Sequence, residues 1–205
     1  FTIYQPSTPD GTLRIGVGNA DSPTEVAQFN STGIVGDGSQ LTNLPASGKI
    51  LQVVQTNKTD TASITSASTN TFVDLPGMSV VITPSSASSK ILVLFTVSIG
   101  SSVGTVHINL VRDATNIAVG GSSGSRLSST IAYRPASSPY TLETAPLSYT
   151  FLDSPNSTSA ITYKLQGTLG SSYNSTYYVN RSASDSDFDF GSRVTSTITV
   201  MEVAG

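Results

Sequence analysis

The sequence predicts an all-β chain, and three observations carry that reading. Of 205 residues only 11% are charged, less than half of the roughly 25% usual in soluble domains. About three residues in ten are Ser or Thr, roughly double the usual share. From residue 49 onward, runs rich in Val, Ile, Thr, Tyr and Phe alternate with clusters of Ser, Asn, Pro and Gly, the pattern of strands and turns. Nine such runs predict an antiparallel β-sandwich of jelly-roll type. No segment reads as a helix.

Composition also closes off functions. Ten Lys and Arg against thirteen Asp and Glu leave a net charge of −3. Phosphate backbones require clustered cations, so nucleic acid is not an expected partner. No window approaches 18 consecutive apolar residues, so no membrane insertion is expected. The absence of cysteine removes disulfides, thiol catalysis and cysteine metal sites together. Oligomerisation is the expected substitute for cross-links. The chain opens on Phe1 without a basic, apolar leader, and is read as a fragment or processed product of a longer protein.

Residues 1–48 are short apolar snippets between turn signals. Phe1-Thr2-Ile3-Tyr4, Leu13-Arg14-Ile15-Gly16-Val17, Val26-Ala27-Gln28-Phe29 and Gly33-Ile34-Val35-Gly36 are each cut off by Gly, Pro or polar residues. Segments this short cannot offset their ordering entropy alone. The region reads as a stalk stabilised by further copies or by a neighbouring body, with Ala46-Ser47-Gly48 as a hinge. The head, 49–205, is assigned strands at 50–55, 78–83, 91–98, 105–112, 116–119, 147–152, 160–169, 176–180 and 196–203. Alternation assigns faces to them. Ile91, Val93, Phe95, Val97 and Ile99 share one wholly apolar face, as do Val106, Ile108 and Leu110, and Ile198 and Val200. The opposite faces keep Leu92, Leu94, Met201 and Val203, which call for a second surface such as a subunit interface.

The block Gly36-Asp37-Gly38-Ser39-Gln40-Leu41-Thr42-Asn43-Leu44-Pro45, with Val26 to Ile34 before it, resembles a segment recurring in tail-fibre and fibre-like virion proteins of phages. Ile108-Asn109-Leu110-Val111-Arg112-Asp113, Phe151-Leu152-Asp153-Ser154-Pro155 and Tyr178-Val179-Asn180-Arg181-Ser182 resemble the distal head that follows such stalks. The resemblance implies an extracellular, virion-located homotrimer with a β-sandwich tip, assembled with other tail or capsid proteins. It further implies attachment to a host surface glycan or protein. A capsid or baseplate decoration fibre, a glycan-degrading tip enzyme and a secreted lectin-like module are the rival readings.

Candidate chemistry is sparse. His107 is the only histidine, so it is the one base available to a Ser-His-Asp triad, but no Gly-x-Ser-x-Gly elbow accompanies it and a sheet residue is the simpler reading. Asp185, Asp187 and Asp189 alternate like the start of a calcium loop. Phe190 then stands where that loop needs Gly, and Ser196 where it needs Glu. No metal or cofactor is assigned, and the segment reads as a solvated loop with Phe188 and Phe190 folded inward. The remaining carboxylates form no pair with a readable glycosidase spacing, so no catalytic residue is assigned. Recognition is expected on the longest irregular stretch, 120–146, through Arg126, Tyr133, Arg134 and Tyr140, with Tyr173 on a neighbouring loop. Packing or subunit contact is the competing role for these side chains.

Deleting residues 1–44 is expected to leave a folded head with an unchanged β signature by circular dichroism, because the sandwich carries its own apolar faces. An unfolded product would show that the head boundary at residue 49 is misplaced.

Overall fold

The structure, a computed structural model, describes the backbone of 2–4, 13–19, 22–30 and 33–35, and residues 48–205 except 66–69, 136–141, 171–174 and 190. The chain divides into two compact units, Phe1–Ala46 and Ser47–Gly205. The first contains β1 (Thr2–Tyr4), β2 (Leu13–Asn19), β3 (Ser22–Asn30) and β4 (Gly33–Val35), an antiparallel meander in the order β1-β2-β3-β4. The snippets therefore pair within the chain. Asn19 is opposite Ser22 and Asn30 opposite Gly33, so the turn signals that keep each snippet short also reverse it.

The second unit is built from eleven strands: β5 (Ile50–Lys58), β6 (Ala62–Thr65), β7 (Val73–Ile82), β8 (Lys90–Ser101), β9 (Val106–Arg112), β10 (Thr115–Ile117), β11 (Ile131–Tyr133), β12 (Ala145–Asp153), β13 (Ile161–Leu169), β14 (Thr176–Val179) and β15 (Ser196–Val203). Among the described residues there is no helix, and none long and apolar enough to cross a membrane. One sheet runs β5-β15-β8-β12, with β14 and β6 added beyond the end of β15. The other runs β7-β13-β9, with β10 and β11 sharing the outer edge of β9. All pairings are antiparallel, and the strand order is that of a jelly roll. The sandwich read from the sequence is the sandwich found.

Face assignments follow the alternation. Ile91, Val93, Phe95, Val97 and Ile99 are buried, and they meet Val106, Ile108, Leu110, Tyr163 and Leu165 of the other sheet in one core. Each such side chain contributes about 1.5–3 kcal/mol through burial. Several strand extents differ from the sequence reading: β5 and β8 run on to Lys58 and Ser101, and β12 covers Ala145–Asp153. β7 begins at Val73, ahead of the start at 78 read from the sequence, and runs through Pro76-Gly77. Gly77 has a positive φ of 75°, and the register jumps there from Asp74 to Ser79, so the pair forms a bulge. β6 and β11 are too short to leave an alternation signal. β10 ends at Ile117, where Ala118 takes a left-handed φ of 55°.

The outer face of the β5-β15-β8-β12 sheet has a definite composition. Val53, Met201, Leu92 and Leu152 stand opposite one another in a single row across four strands. Gln55, Thr199, Leu94 and Thr150 form the next row, and Asn57, Thr197, Thr96 and Ser148 the one beyond. None is charged. Val53 is 55% exposed and Leu152 47% exposed, while Leu92 and Leu94 are half-buried.

The two ends of the sandwich are sealed differently. At one, the Gly48 N–H donates to the Ala204 carbonyl (2.9 Å) and the Ala204 N–H to that of Lys49 (2.8 Å), joining the first and last backbone segments of the sandwich. Glu202 is buried there and accepts from Gln52 Nε2 (2.6 Å) and from the Ser85 N–H and hydroxyl (2.7 and 2.6 Å). Burial alone pushes its carboxyl pKa upward, but these donors outweigh it and hold the value at about 2. At the same end, across Ile91 of β8, Asp153 takes two 2.8 Å bonds from the Arg112 guanidinium and the Tyr163 hydroxyl at 2.6 Å, tying β12 to the opposite sheet.

At the other end β8 outruns its neighbour. β15 pairs with it from Lys90 to Thr96 and β14 from Ile99 to Ser101, on the same edge. Asn180, buried and left-handed with φ of 63°, fills the gap between them. Its N–H donates to the Ser98 carbonyl (2.9 Å), and its side-chain amide donates to the carbonyls of Lys58 (2.8 Å) and Asp60 (2.9 Å). The Ser196 hydroxyl donates to its side-chain oxygen and accepts from the Ser98 N–H at 2.9 Å.

Replacing Asn180 with Ala strands two carbonyls and adds left-handed strain, and is expected to cost about 2–4 kcal/mol by chemical denaturation. Asn180→Gly removes only the strain and should recover about 1 kcal/mol of that loss. Glu202 has a depressed folded pKa, so its contribution is complete above the ordinary carboxylate range and is lost as pH falls. Melting temperature should therefore drop progressively from about pH 4.5 toward pH 2, and Glu202→Gln should flatten that part of the profile while lowering stability at pH 7.

Candidate recognition site

The long connections of the sandwich gather at the end of β8 remote from Gly48 and Ala204. The register requires this: Ala145 opens β12 opposite Ile99, Val179 closes β14 opposite Ile99, and Leu169 closes β13 opposite Val106. The best-buttressed connection runs over 180–195, between β14 and β15. Gly100 permits its approach, since a Cβ there would strike the Arg181 carbonyl. The Arg181 guanidinium lies 3.9 Å over the Tyr178 ring, donates to Ser63 Oγ (3.1 Å) and to the Ser182 carbonyl (3.3 Å), and pairs with Asp185 at 3.6 Å. Arg193 closes on the same carboxylate. The guanidinium of Arg193 lowers the Asp185 pKa, and Arg181 adds to the effect.

The backbone closes around these pairs. Arg181 and Arg193 form an isolated antiparallel bridge, and the Val194 N–H donates to the Asn180 carbonyl at 3.1 Å. The Gly191 N–H donates to the Phe188 carbonyl at 2.9 Å. A concave, mostly polar pocket results, lined by Ser182, Ser184, Asp185, Asp187, Phe188 and Arg193 among others. Phe188 is 57% exposed, so the inward placement read from the sequence is corrected. Phe190 lies outside the described residues. Among the described residues no three His, Cys, Asp or Glu side chains gather as a metal site, and Asp185 is engaged by arginines.

No protein-family model matches the chain, and comparison with curated proteins finds no match. Among solved structures, a chain of the infectious bursal disease virus Gt strain structure aligns at 9% identity and a TM-score of 0.39, over 96% of this chain and 48% of that one. The VP2 subviral particle of the same virus aligns at 12% identity and a TM-score of 0.39, again over 96% and 48%. This chain spans about half the length of those chains. Superpositions this loose carry no argument about function.

The stretch 120–146, read as one loop, is divided by the structure. A side excursion covers 118–130 at the sheet edge, where the Gly120 N–H donates to the Ser129 carbonyl (3.1 Å) and the Thr130 N–H to that of Ile108 (3.0 Å). Strand β11 follows, and β12 begins at Ala145. Arg126 lies in the excursion and donates to Ser123 Oγ at 3.1 Å. Tyr133 packs against the core and donates its hydroxyl to Glu143 at 3.0 Å. Burial and that carboxylate push the phenol up to about 12. Arg134 is exposed next to it, and Tyr140 and Tyr173 lie outside the described residues. The residues read from the sequence thus fall in separate segments, and Arg193, which lines the pocket of the 180–195 loop, was not among them. Only the Asp-Phe alternation of 185–189 marked that loop.

His107 accepts or donates at Nδ1 with Ser129 Oγ, 3.1 Å away. Partial burial lowers its pKa. Its Nε2 edge faces the Gly170 backbone, where a Cβ would clash. Ser129 thus stands at Nδ1, where a triad carboxylate would orient the ring, and backbone covers the Nε2 edge that a nucleophile would use.

Proposed function

We propose that this chain is a non-enzymatic virion fibre protein, a homotrimer whose sandwich head contacts the host surface. The observation that carries the reading is the outer face of the β5-β15-β8-β12 sheet, uncharged across three cross-strand rows and led by Val53, Met201, Leu92 and Leu152. Depletion of charge with retained aliphatic side chains is the signature of an interface centre. The block from Gly36 to Pro45, with its resemblance to phage fibre segments, supports the virion placement and assembly with other tail or capsid proteins.

Placement of the loops supports the contact with host. Lys49 and Ala204 share one end of the sandwich and the long connections the other, so the loop-bearing end is remote from Lys49. Arg126 and Arg134 lie in the connections that flank β11, and Tyr133 closes that strand. A decoration fibre without receptor role would share the trimer but not the contact. An antiserum against the purified protein separates the two: blocked adsorption of particles to host cells supports attachment, and decorated particles that adsorb normally support decoration.

Light scattering coupled to size exclusion is expected to give a mass near three chains at micromolar concentration. Leu92→Asp, which buries a carboxylate in the centre of the proposed interface, should shift that mass toward one chain with the β signature retained. A wild-type monomer would overturn the trimer.

A further inference from the structure

We infer that the Arg126–Leu127 bond is a proteolytic processing site, at which a trypsin-like protease nicks the head without dismantling it. Such a protease seats an Arg or Lys side chain in a pocket that carries a carboxylate. It also needs the chain around that residue free to extend, which exposed loops of small polar residues allow. Residues 119–126 are exposed without interruption, and 120–125 are all Gly or Ser. A Cβ added at Gly121 or Gly124 would meet nothing within 4 Å, so the excursion stands clear of the sandwich. Only a turn has to open, in which the Arg126 N–H donates to the Ser123 carbonyl at 3.2 Å. Among the described residues no carboxylate pairs with the Arg126 guanidinium, which donates to Ser123 Oγ.

The other basic residues of the ten are closed to the same attack. Arg14, Lys58, Lys90, Arg112 and Lys164 lie in paired strands. Lys49 is clamped through its carbonyl to Ala204 and leads directly into β5. Arg181 and Arg193 bridge one another. Arg134 is exposed, but Pro135 follows it, and a ring nitrogen with fixed φ and no N–H does not fit the subsite beyond the cut.

The step is a hydrolysis. Water adds to the Arg126 carbonyl, the C–N bond to Leu127 breaks, and the products are a carboxylate on Arg126 and an ammonium on Leu127. The two pieces interlock. From 127–205, β13 lies between β7 and β9 of 1–126, and β15 between β5 and β8. The Gly120–Ser129 bond spans the cut as well. The excursion belongs to the sheet of β9, not to the face proposed for the trimer, so the inference holds for either oligomeric state.

Purified full-length protein is digested with trace trypsin under native conditions and followed by intact mass spectrometry. The first products are expected to be 1–126 and 127–205 in equal amounts, eluting together from size exclusion at the position of the uncut protein. Arg126→Gln should slow that cut at least about a hundredfold, because a pocket built for a cation rejects a neutral amide. Arg126→Lys should preserve it, with the melting temperature of both variants unchanged. A first cut after any other basic residue, Lys49 included, would overturn the site. So would an Arg126→Gln protein nicked there as fast as wild type, a wild-type protein as resistant as that variant, or fragments that separate under native conditions.

Discussion

The geometry of the head depends on one strand being longer than its partner. β8 runs twelve residues, and the edge it offers to β15 is not used up when that ladder ends. A bare strand edge inside a sandwich leaves N–H and C=O groups without partners, a cost of about 1–3 kcal/mol apiece. Asn180 resolves it by acting as a piece of backbone: its amide reaches two carbonyls of the chain leaving β5, and Ser196 completes the circuit to Ser98. Because β14 can then continue the edge, the 180–195 connection starts and ends at a fixed point. A satisfied gap anchors both ends of that loop.

The opposite end uses the same currency with charge added. Glu202 and Asp153 are carboxylates placed where a hydrophobic plug would serve for stability alone. Both are saturated with donors, one by neutral groups and one by Arg112 and Tyr163. Such networks constrain direction as well as distance, and here they fix the turn containing Ser85 and the end of β12 against the strands where the backbone enters and leaves the sandwich.

Much of the sandwich was legible because period-two alternation survives wherever a strand is long and faces one core. The five inward residues from Ile91 to Ile99 needed no other information. The bulge at Pro76-Gly77 was not legible, since the same two residues mark a turn when flanked by nothing, and only the opposing strand β13 reveals that pairing continues. The loop of 180–195 was equally hidden: the partners of Asn180 lie at Lys58 and Asp60, more than a hundred positions away, and nothing local distinguishes it from a turn asparagine. Tyr133 was read from its place beside an arginine, and the structure adds what the sequence did not show: its hydroxyl donates to Glu143 and its ring packs against the core.

The shared end of Lys49 and Ala204 has a mechanical meaning. β5 and β15 are adjacent and antiparallel along their length, and β5 begins at that end. Tension that enters at Lys49 and is resisted at the far loops acts parallel to these strands, so the ladder bonds between them are strained together and must fail together. Pulling the same strands apart from one end would break them in succession. Resistance to force depends on the height of the unfolding barrier rather than on equilibrium stability, and a loading direction that engages a whole ladder at once raises that barrier without any added contact.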